Sequence, residues 1–242
     1  MDETIKVTGL SKSYAGNKVI SNIELSIGTG QVFGLLGANG AGKTTTIECI
    51  LGTRKADAGS VSILGLDPRK DRKHLFEQVG VQFQEASYSD KIKVWELCEE
   101  NACLYRKAAN YEELLRQFGL WEKRGAFVNE LSGGQKQRLF IVLALLPDPK
   151  VVFLDELTTG LDTKARRSVW KSLDALKQKG LTIFLSSHFM DEVEVLCDTI
   201  AILKDGNFIF TGTVQEAIHQ SPYDNLEEAY LWFTGEEETD DE

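Results

Sequence analysis

The feature that most constrains the fold is a glycine-rich loop, Gly37-Ala38-Asn39-Gly40-Ala41-Gly42-Lys43-Thr44, set between an apolar run and a helical stretch. The run before it, Val32-Phe33-Gly34-Leu35-Leu36, is continuously apolar, as expected of a strand buried on both faces of a parallel sheet. Residues 45–51 beyond it read as a helix that Gly52 stops. The spacing G-x-x-x-x-G-K-T between strand and helix is a phosphate-binding pattern. Glycines let backbone amides turn inward towards phosphate oxygens, and the helix N-terminus adds unpaired N–H donors and a favourable dipole. Lys43 supplies a point charge to the β- and γ-phosphates, and the Thr44 hydroxyl is a ligand for Mg²⁺.

A second apolar run, Val151-Val152-Phe153-Leu154, ends in Asp155-Glu156. Acids at the C-terminal end of a buried strand lie where parallel α/β sheets place their ligands. Asp155 is suited to hold Mg²⁺, which leaves Glu156 to orient or deprotonate an attacking water. A third segment, Leu131-Ser132-Gly133-Gly134-Gln135-Lys136-Gln137-Arg138, opens with S-x-x-Q. That is a capping box for the helix running towards Leu146, and two glycines at a helix start also form an anion site.

Leu131-Ser132-Gly133-Gly134-Gln135 resembles the signature that separates ATP-binding cassettes from other P-loop ATPases, and it stands shortly before the Asp-Glu strand as in that family. The resemblance runs from about residue 5 to 212. It implies an α/β P-loop ATPase core with an N-terminal antiparallel β-subdomain and an inserted α-helical subdomain. It also implies roles for single residues. Tyr14 resembles the aromatic that stacks on adenine, and Thr45 belongs to the nucleotide-binding loop. Gln84, with Gln82 nearby, resembles the switch glutamine that contacts metal and water. Thr159-Gly160-Leu161-Asp162 resembles the segment that communicates across a dimer, and His188 the switch histidine that touches the γ-phosphate. Leu157 and Thr159 depart from the family's usual proline and serine or asparagine. Those departures bear on the geometry and rate of hydrolysis.

By the same resemblance, the ATP and Mg²⁺ site is completed by two chains head to tail. Each nucleotide is gripped by the loop of one and by Ser132, Gly133, Gly134 and Gln135 of the other. Lys43, Glu156 and His188 are the implied catalytic groups. The implied function is an ATPase subunit that powers a separate polytopic membrane permease from the inner, cytoplasmic face of the cell membrane. Residues 37–46 with Leu64-Gly65-Leu66-Asp67-Pro68 look more like exporter cassettes than importer ones. A cassette outside transport, such as an iron–sulfur assembly ATPase, has a similar length and is the alternative.

The rest of the chain fits one domain, residues 1–234, followed by an acidic tail over 235–242. Strands are expected at Ile5-Lys6-Val7, Lys18-Val19-Ile20 and Ile23-Glu24-Leu25-Ser26-Ile27, the last with period-two alternation. From roughly residue 92 to 146 the period turns helical, and the inserted helical subdomain is expected over about 86–146. Val94, Leu97, Cys98 and Tyr105 are placed on one helix face, and Tyr111, Leu114, Leu115 and Phe118 on another capped by Asn110 and stopped by Gly119. A helix over residues 163–179 buries Ala165, Val169, Leu173 and Leu176, with Gly180 as its stop. A strand over residues 181–185 follows, and Asp205-Gly206 between apolar runs signals a hairpin.

The net charge of −10 includes six acids in the tail, so the body carries about −4. A chain of that balance lacks the basic footprint of a nucleic-acid binder. The tail is too polar to offset its ordering entropy, so disorder is expected there. The four cysteines, Cys49, Cys98, Cys103 and Cys197, form no metal-ligand spacing and read as small core residues of a protein in a reducing cytosol. The longest apolar run, residues 140–146, is far short of the ~20 residues a spanning helix needs, so any spanning would be done by a partner.

Overall fold

The computed structural model describes residues 3–82, 88–89 and 91–236. It opens with two long strands, β1 (Glu3–Tyr14) and β2 (Asn17–Gly28), paired antiparallel. Ala15 and Gly16 join them with φ of 47° and 86°, the left-handed pair of a two-residue hairpin. The two short strands expected over residues 18–27 are one strand. Leu10 pairs with Ile23 and Lys12 with Ile20, so β2 carries one extra residue there. Asn22, at φ 51°, absorbs that extra residue, and its N–H donates to Ser11 Oγ at 2.8 Å. A bulge thus bends the strand without ending it. The alternation of Ile23, Leu25 and Ile27 does bury one face.

β3 (Val32–Leu36) then enters a second sheet and is buried along its whole length. α1 (Lys43–Ile50) follows, and β4 (Ala58–Ile63) returns to pair with β1, which gives the first sheet the order β2-β1-β4. Nothing in the apolar pattern marks β4, because Ala58-Gly59-Ser60 is exposed. A short turn of helix, α2 (Arg72–Leu75), leads to β5 (Val79–Gln82).

The helical part comprises α3 (Val94–Ala102), α4 (Tyr111–Gln117) and α5 (Gly133–Leu145). Val94, Leu97 and Cys98 are buried as their spacing requires. Tyr105 is not on their helix. The Asn101 side chain donates to Leu97 O at 2.8 Å, and the N–H groups of Leu104 and Tyr105 reach back only three residues, so α3 tightens and ends. Tyr105 still packs against the same core from the turn beyond. Asn110 caps α4 by accepting from the N–H groups of Glu112 and Glu113, and Gly119 at φ 66° stops it. Of the cysteines, Cys49 and Cys98 are core residues, whereas Cys103, at the end of α3, is exposed.

β6 (Val151–Leu154), α6 (Thr163–Lys177), β7 (Thr182–Ser187) and α7 (Met190–Leu196) resume the alternation. Val169 and Leu173 of α6 are buried as expected, Ala165 and Leu176 are half-buried, and Trp170 shares the buried face. Gly180 is left-handed at φ 97°. β8 (Thr199–Lys204) and β9 (Asn207–Gly212) form the hairpin, with Asp205 and Gly206 at φ 49° and 75°. Two further helices close the described chain, α8 (Val214–Gln220) and α9 (Leu226–Thr234). Thr213 and Asn225 cap them. Gly235, at φ 64°, and Glu236, whose N–H donates to Leu231 O at 3.0 Å, finish α9. The rest of the acidic tail, residues 237–242, lies outside the described residues.

The second sheet has the order β5-β6-β7-β3-β8-β9, parallel except for β9. Its central strands send alternate residues to opposite layers. Phe33, Leu35, Val151, Phe153 and Phe184 join Ile47 and Ile50 of α1 and the apolar face of the first sheet. Val32, Val152, Leu154, Ile183 and Leu185 join Leu139, Val142 and Leu173 of α5 and α6. Among the described residues no helix is long and apolar enough to cross a membrane.

α5 lies directly on β5 because residue 80 has no side chain: a Cβ there would sit 1.8 Å from Ala144 O. Gly80→Ala must therefore separate a helix from a strand. It is expected to cost about 3 kcal/mol, the upper end for an overpacked core, read as a lower urea midpoint in equilibrium unfolding.

Candidate functional site

Because β5, β6, β7 and β3 are parallel neighbours, their C-terminal ends lie side by side, and the loops that leave them meet. The loop after β3 turns into α1 at Gly42, which has φ 107° and no room for a side chain: a Cβ would lie 2.8 Å from Val19 O. Gly40, at φ 84°, is different, since a Cβ there would meet open space. Backbone closes the turn, with Ala41 N–H donating to Ala38 O at 3.1 Å and Thr46 N–H to Gly42 O at 2.8 Å.

Lys43 is only 6% exposed and folds back over this loop. Its Nζ donates to Gly37 O at 2.6 Å and to Ala38 O at 3.1 Å. Burial holds its pKa below the usual lysine value, and the charges of Glu156 and Asp155 work the other way. The ammonium is thus partly desolvated, which strengthens its attraction for an anion.

Asp155 is 2% exposed at the end of β6. Thr44 Oγ1 donates to its Oδ2 at 3.0 Å, and Ser186 Oγ of β7 donates to its Oδ1. The same Ser186 Oγ accepts from Glu156 N–H at 3.0 Å. Gln82, at the end of β5, donates from Nε2 to Asp155 O at 3.2 Å. Glu156 itself sits at φ 51°, a left-handed conformation uncommon for a non-glycine residue. Gln137 of α5 braces this turn, donating from Nε2 to the carbonyls of Glu156 (3.1 Å) and Leu157 (2.9 Å).

The loop and the Glu156 turn border an open cleft of about 530 Å³, with Asp155 buried beneath Thr44. Asn39, Gly40, Lys43, Thr44 and Thr45 form one side, and Glu156, Thr159 and His188 face them. Four strand ends therefore bring together most of the residues singled out from sequence. Gln84 lies outside the described residues.

Tyr14 does not line that cleft. It stands at the end of β1, 38% exposed, with Lys12 Nζ 5.4 Å and Arg54 Cζ 5.5 Å from its ring centroid. The signature turn is also elsewhere. Ser132 caps α5, accepting from Gln135 N–H at 3.3 Å, while its own N–H donates to Gln135 Oε1 at 3.0 Å. Gly133 faces open space, and a Cβ on Gly134 would meet Leu161 Cδ2 at 3.0 Å. The signature turn therefore packs on the segment Thr159-Gly160-Leu161-Asp162, whose Asp162 caps α6 through Ala165 N–H at 2.8 Å. Two contributors went unassigned in the sequence, Ser186 and Gln137. Ser186 had one available signal, a polar residue closing the apolar run of β7.

The chain is similar to known proteins along most of its length. The family model described as ABC transporter matches residues 20–159. A Nod factor export ATP-binding protein I of Burkholderia orbicola is 37% identical over 217 residues, covering 86% of this chain and 70% of that one. The protein of the same name from Rhizobium etli is 36% identical, with 89% and 70% covered. Among solved structures, an ATP-binding subunit of an ABC transporter superposes with a TM-score of 0.87 at 28% identity, covering 96% of this chain and 99% of that one. A dimeric cassette in a post-hydrolysis state bound to ADP and Pi gives 0.78 at 25% identity, covering 86% and 98%. The phosphate loop, the acid-tipped strand and the signature turn, with these likenesses, make one statement: the chain belongs to the ABC transporter family, as an ATP-binding ATPase subunit.

Proposed function

We propose that this chain is the ATP-hydrolysing motor of an exporter, acting on a separate polytopic permease from the inner face of the membrane. The observation that carries this reading is the division of its chemistry between two places. Lys43, Thr44, Asp155, Glu156 and His188 gather at one cleft, while Ser132 and Gly133 present an open helix start away from it. Half a site on each face fits closure of two such chains head to tail, and a solved cassette of similar fold is described as dimeric. Export is supported by relatives whose names specify Nod factor export, and by the exporter-like segments at residues 37–46 and 64–68.

Within the cleft, the backbone N–H groups of residues 37–45 and Lys43 receive the β- and γ-phosphates. The open space over Gly40 fits a phosphate chain passing close to backbone. Thr44 and Asp155 hold Mg²⁺, with Gln84 as a third contributor. A hydroxyl and a carboxylate oxygen 3.0 Å apart suit an ion that takes few protein ligands and completes its shell with phosphate and water. When bound, Mg²⁺ neutralises charge on the phosphate oxygens. Glu156 accepts the proton of the attacking water, and His188 donates a hydrogen bond to the γ-phosphate. Tyr14 stacks on adenine, and the other chain's Ser132, Gly133, Gly134 and Gln135 close over the γ-phosphate. Residues 1–234 act as one ATPase domain, in which residues 86–146 form the helical part that meets the permease.

Glu156→Gln is expected to keep ATP affinity, accumulate a dimer with ATP, and lower kcat by about 10²–10⁴-fold, the range for losing a general base; unchanged steady-state turnover removes Glu156 from that role. Lys43→Ala is expected to weaken ATP binding by roughly ten- to a hundredfold in calorimetry, the loss of one charge-assisted bond. Tagged protein purified from membranes should carry a polytopic subunit with it. Recovery only in a soluble complex favours a cassette outside transport.

A further inference from the structure

We propose that Glu192 is a positioning residue for His188, locking the turn between β7 and α7 to α6 through a buried carboxylate bridge. The proposal rests on the reading of His188 as a γ-phosphate contact and adds what holds that histidine in place.

Glu192 is 0% exposed, although it lies in the first turn of a surface helix. A buried carboxylate is costly unless it is fully hydrogen-bonded. Ser187 Oγ donates to Oε2 at 2.6 Å, and Trp170 Nε1 of α6 donates to Oε1 at 3.2 Å. Burial pushes the Glu192 carboxyl up, and these two bonds oppose the shift. An apolar residue at 192 would fill the space without the penalty, but it would leave the Ser187 hydroxyl and the Trp170 N–H unmet. Charge kept inside a protein at a net cost is best explained by a demand for one orientation.

The orientation concerned is that of the residue between Ser187 and Phe189. Ser187 Oγ also accepts from Phe189 N–H at 3.0 Å, so one hydroxyl ties both neighbours of His188 to the carboxylate. The side chains add a second clamp. The Phe189 ring centroid lies 4.2 Å from that of the His188 imidazole and 4.1 Å from the Arg166 guanidinium carbon. Arg166 Nη1 in turn donates to the Asp191 carboxylate at 3.1 Å. Arg166 and Trp170 stand four residues apart, on one face of α6. The position of α6, which begins directly after Thr159-Gly160-Leu161-Asp162, therefore sets the position of the imidazole at the cleft.

The test is a double-mutant cycle in the full chain with Glu192→Gln and His188→Ala. Glutamine preserves shape and can still accept from Trp170 Nε1–H, but it replaces a carboxylate oxygen with an N–H donor, so Ser187 Oγ, which already accepts from Phe189 N–H, must accept where it donated and the charge-assisted bond to the turn is lost. Glu192→Gln is expected to lower kcat for ATP about ten- to a hundredfold, the scale of a misplaced group. KM should stay within about twofold of the wild type. The double variant should be no slower than His188→Ala, because Glu192 acts only through that ring. The chain has three histidines, His74, His188 and His219. In ring NMR spectra, Glu192→Gln should move the His188 resonances and leave the other two. Unchanged kcat in Glu192→Gln, losses that multiply in the double variant, or an unmoved His188 ring would each overturn the proposal. Wild-type turnover in His188→Ala removes the phosphate-contact reading instead, and the ring resonances then decide the positioning claim by themselves. If Glu192→Gln does not fold, Trp170→Phe removes the second donor while keeping the aromatic packing, and the same cycle applies.

Discussion

The hydrogen bonds on the Asp155 carboxylate hold the site together. Thr44 of α1 and Ser186 of β7 donate to its two oxygens, and Gln82 of β5 donates to its backbone carbonyl. Three separate elements thus register on one buried residue at the end of β6. The arrangement depends on parallel pairing, because only then do four strand ends face the same way. It depends also on cores that pack both faces of the sheet, since Phe153 and Leu154 point to opposite layers just before Asp155. Packing fixes where the strand ends, and the carboxylate joins the loops at that edge.

The fold was legible wherever burial follows periodicity. β3, β6 and β7 are continuous apolar runs and are buried throughout. Ile23, Leu25 and Ile27 alternate and form a one-sided strand. What escaped has a physical cause in each case. β4 is exposed over Ala58-Gly59-Ser60 and held by backbone pairing with β1, which leaves no apolar signature. The bulge at Asn22 interrupts the alternation of β2 without interrupting its pairing. Tyr105 has the right spacing for α3 but follows an asparagine that takes a backbone carbonyl for its own side chain.

The same distinction runs through the site. The glycine-rich loop, Asp155-Glu156 and the signature are readable because their chemistry requires several residue types at fixed spacing. Ser186, Gln137 and Glu192 are single polar residues whose partners are distant in sequence. Nothing local distinguishes Gln137 from any polar residue on a helix, yet it holds the carbonyls of a left-handed glutamate. Such bracing groups become visible only when burial and donor–acceptor geometry are known together. On the proposed reading they divide the work: motif residues meet the nucleotide, and bracing residues decide how far a motif residue can stray.

The missing side chain at Gly80 has a mechanical consequence. With the carbonyl of Ala144 almost against the β5 backbone, no compressible layer of side chains lies between helix and strand at that point. α5, thirteen residues and therefore about 20 Å long, is welded at one end to β5, the strand whose Gln82 bonds the Asp155 carbonyl. Its other end carries the turn of residues 132–135, which the proposed function offers to a neighbouring chain. The helix behaves as a stiff strut between the two, so a shift at either tip is carried to the other as displacement and is not absorbed as deformation.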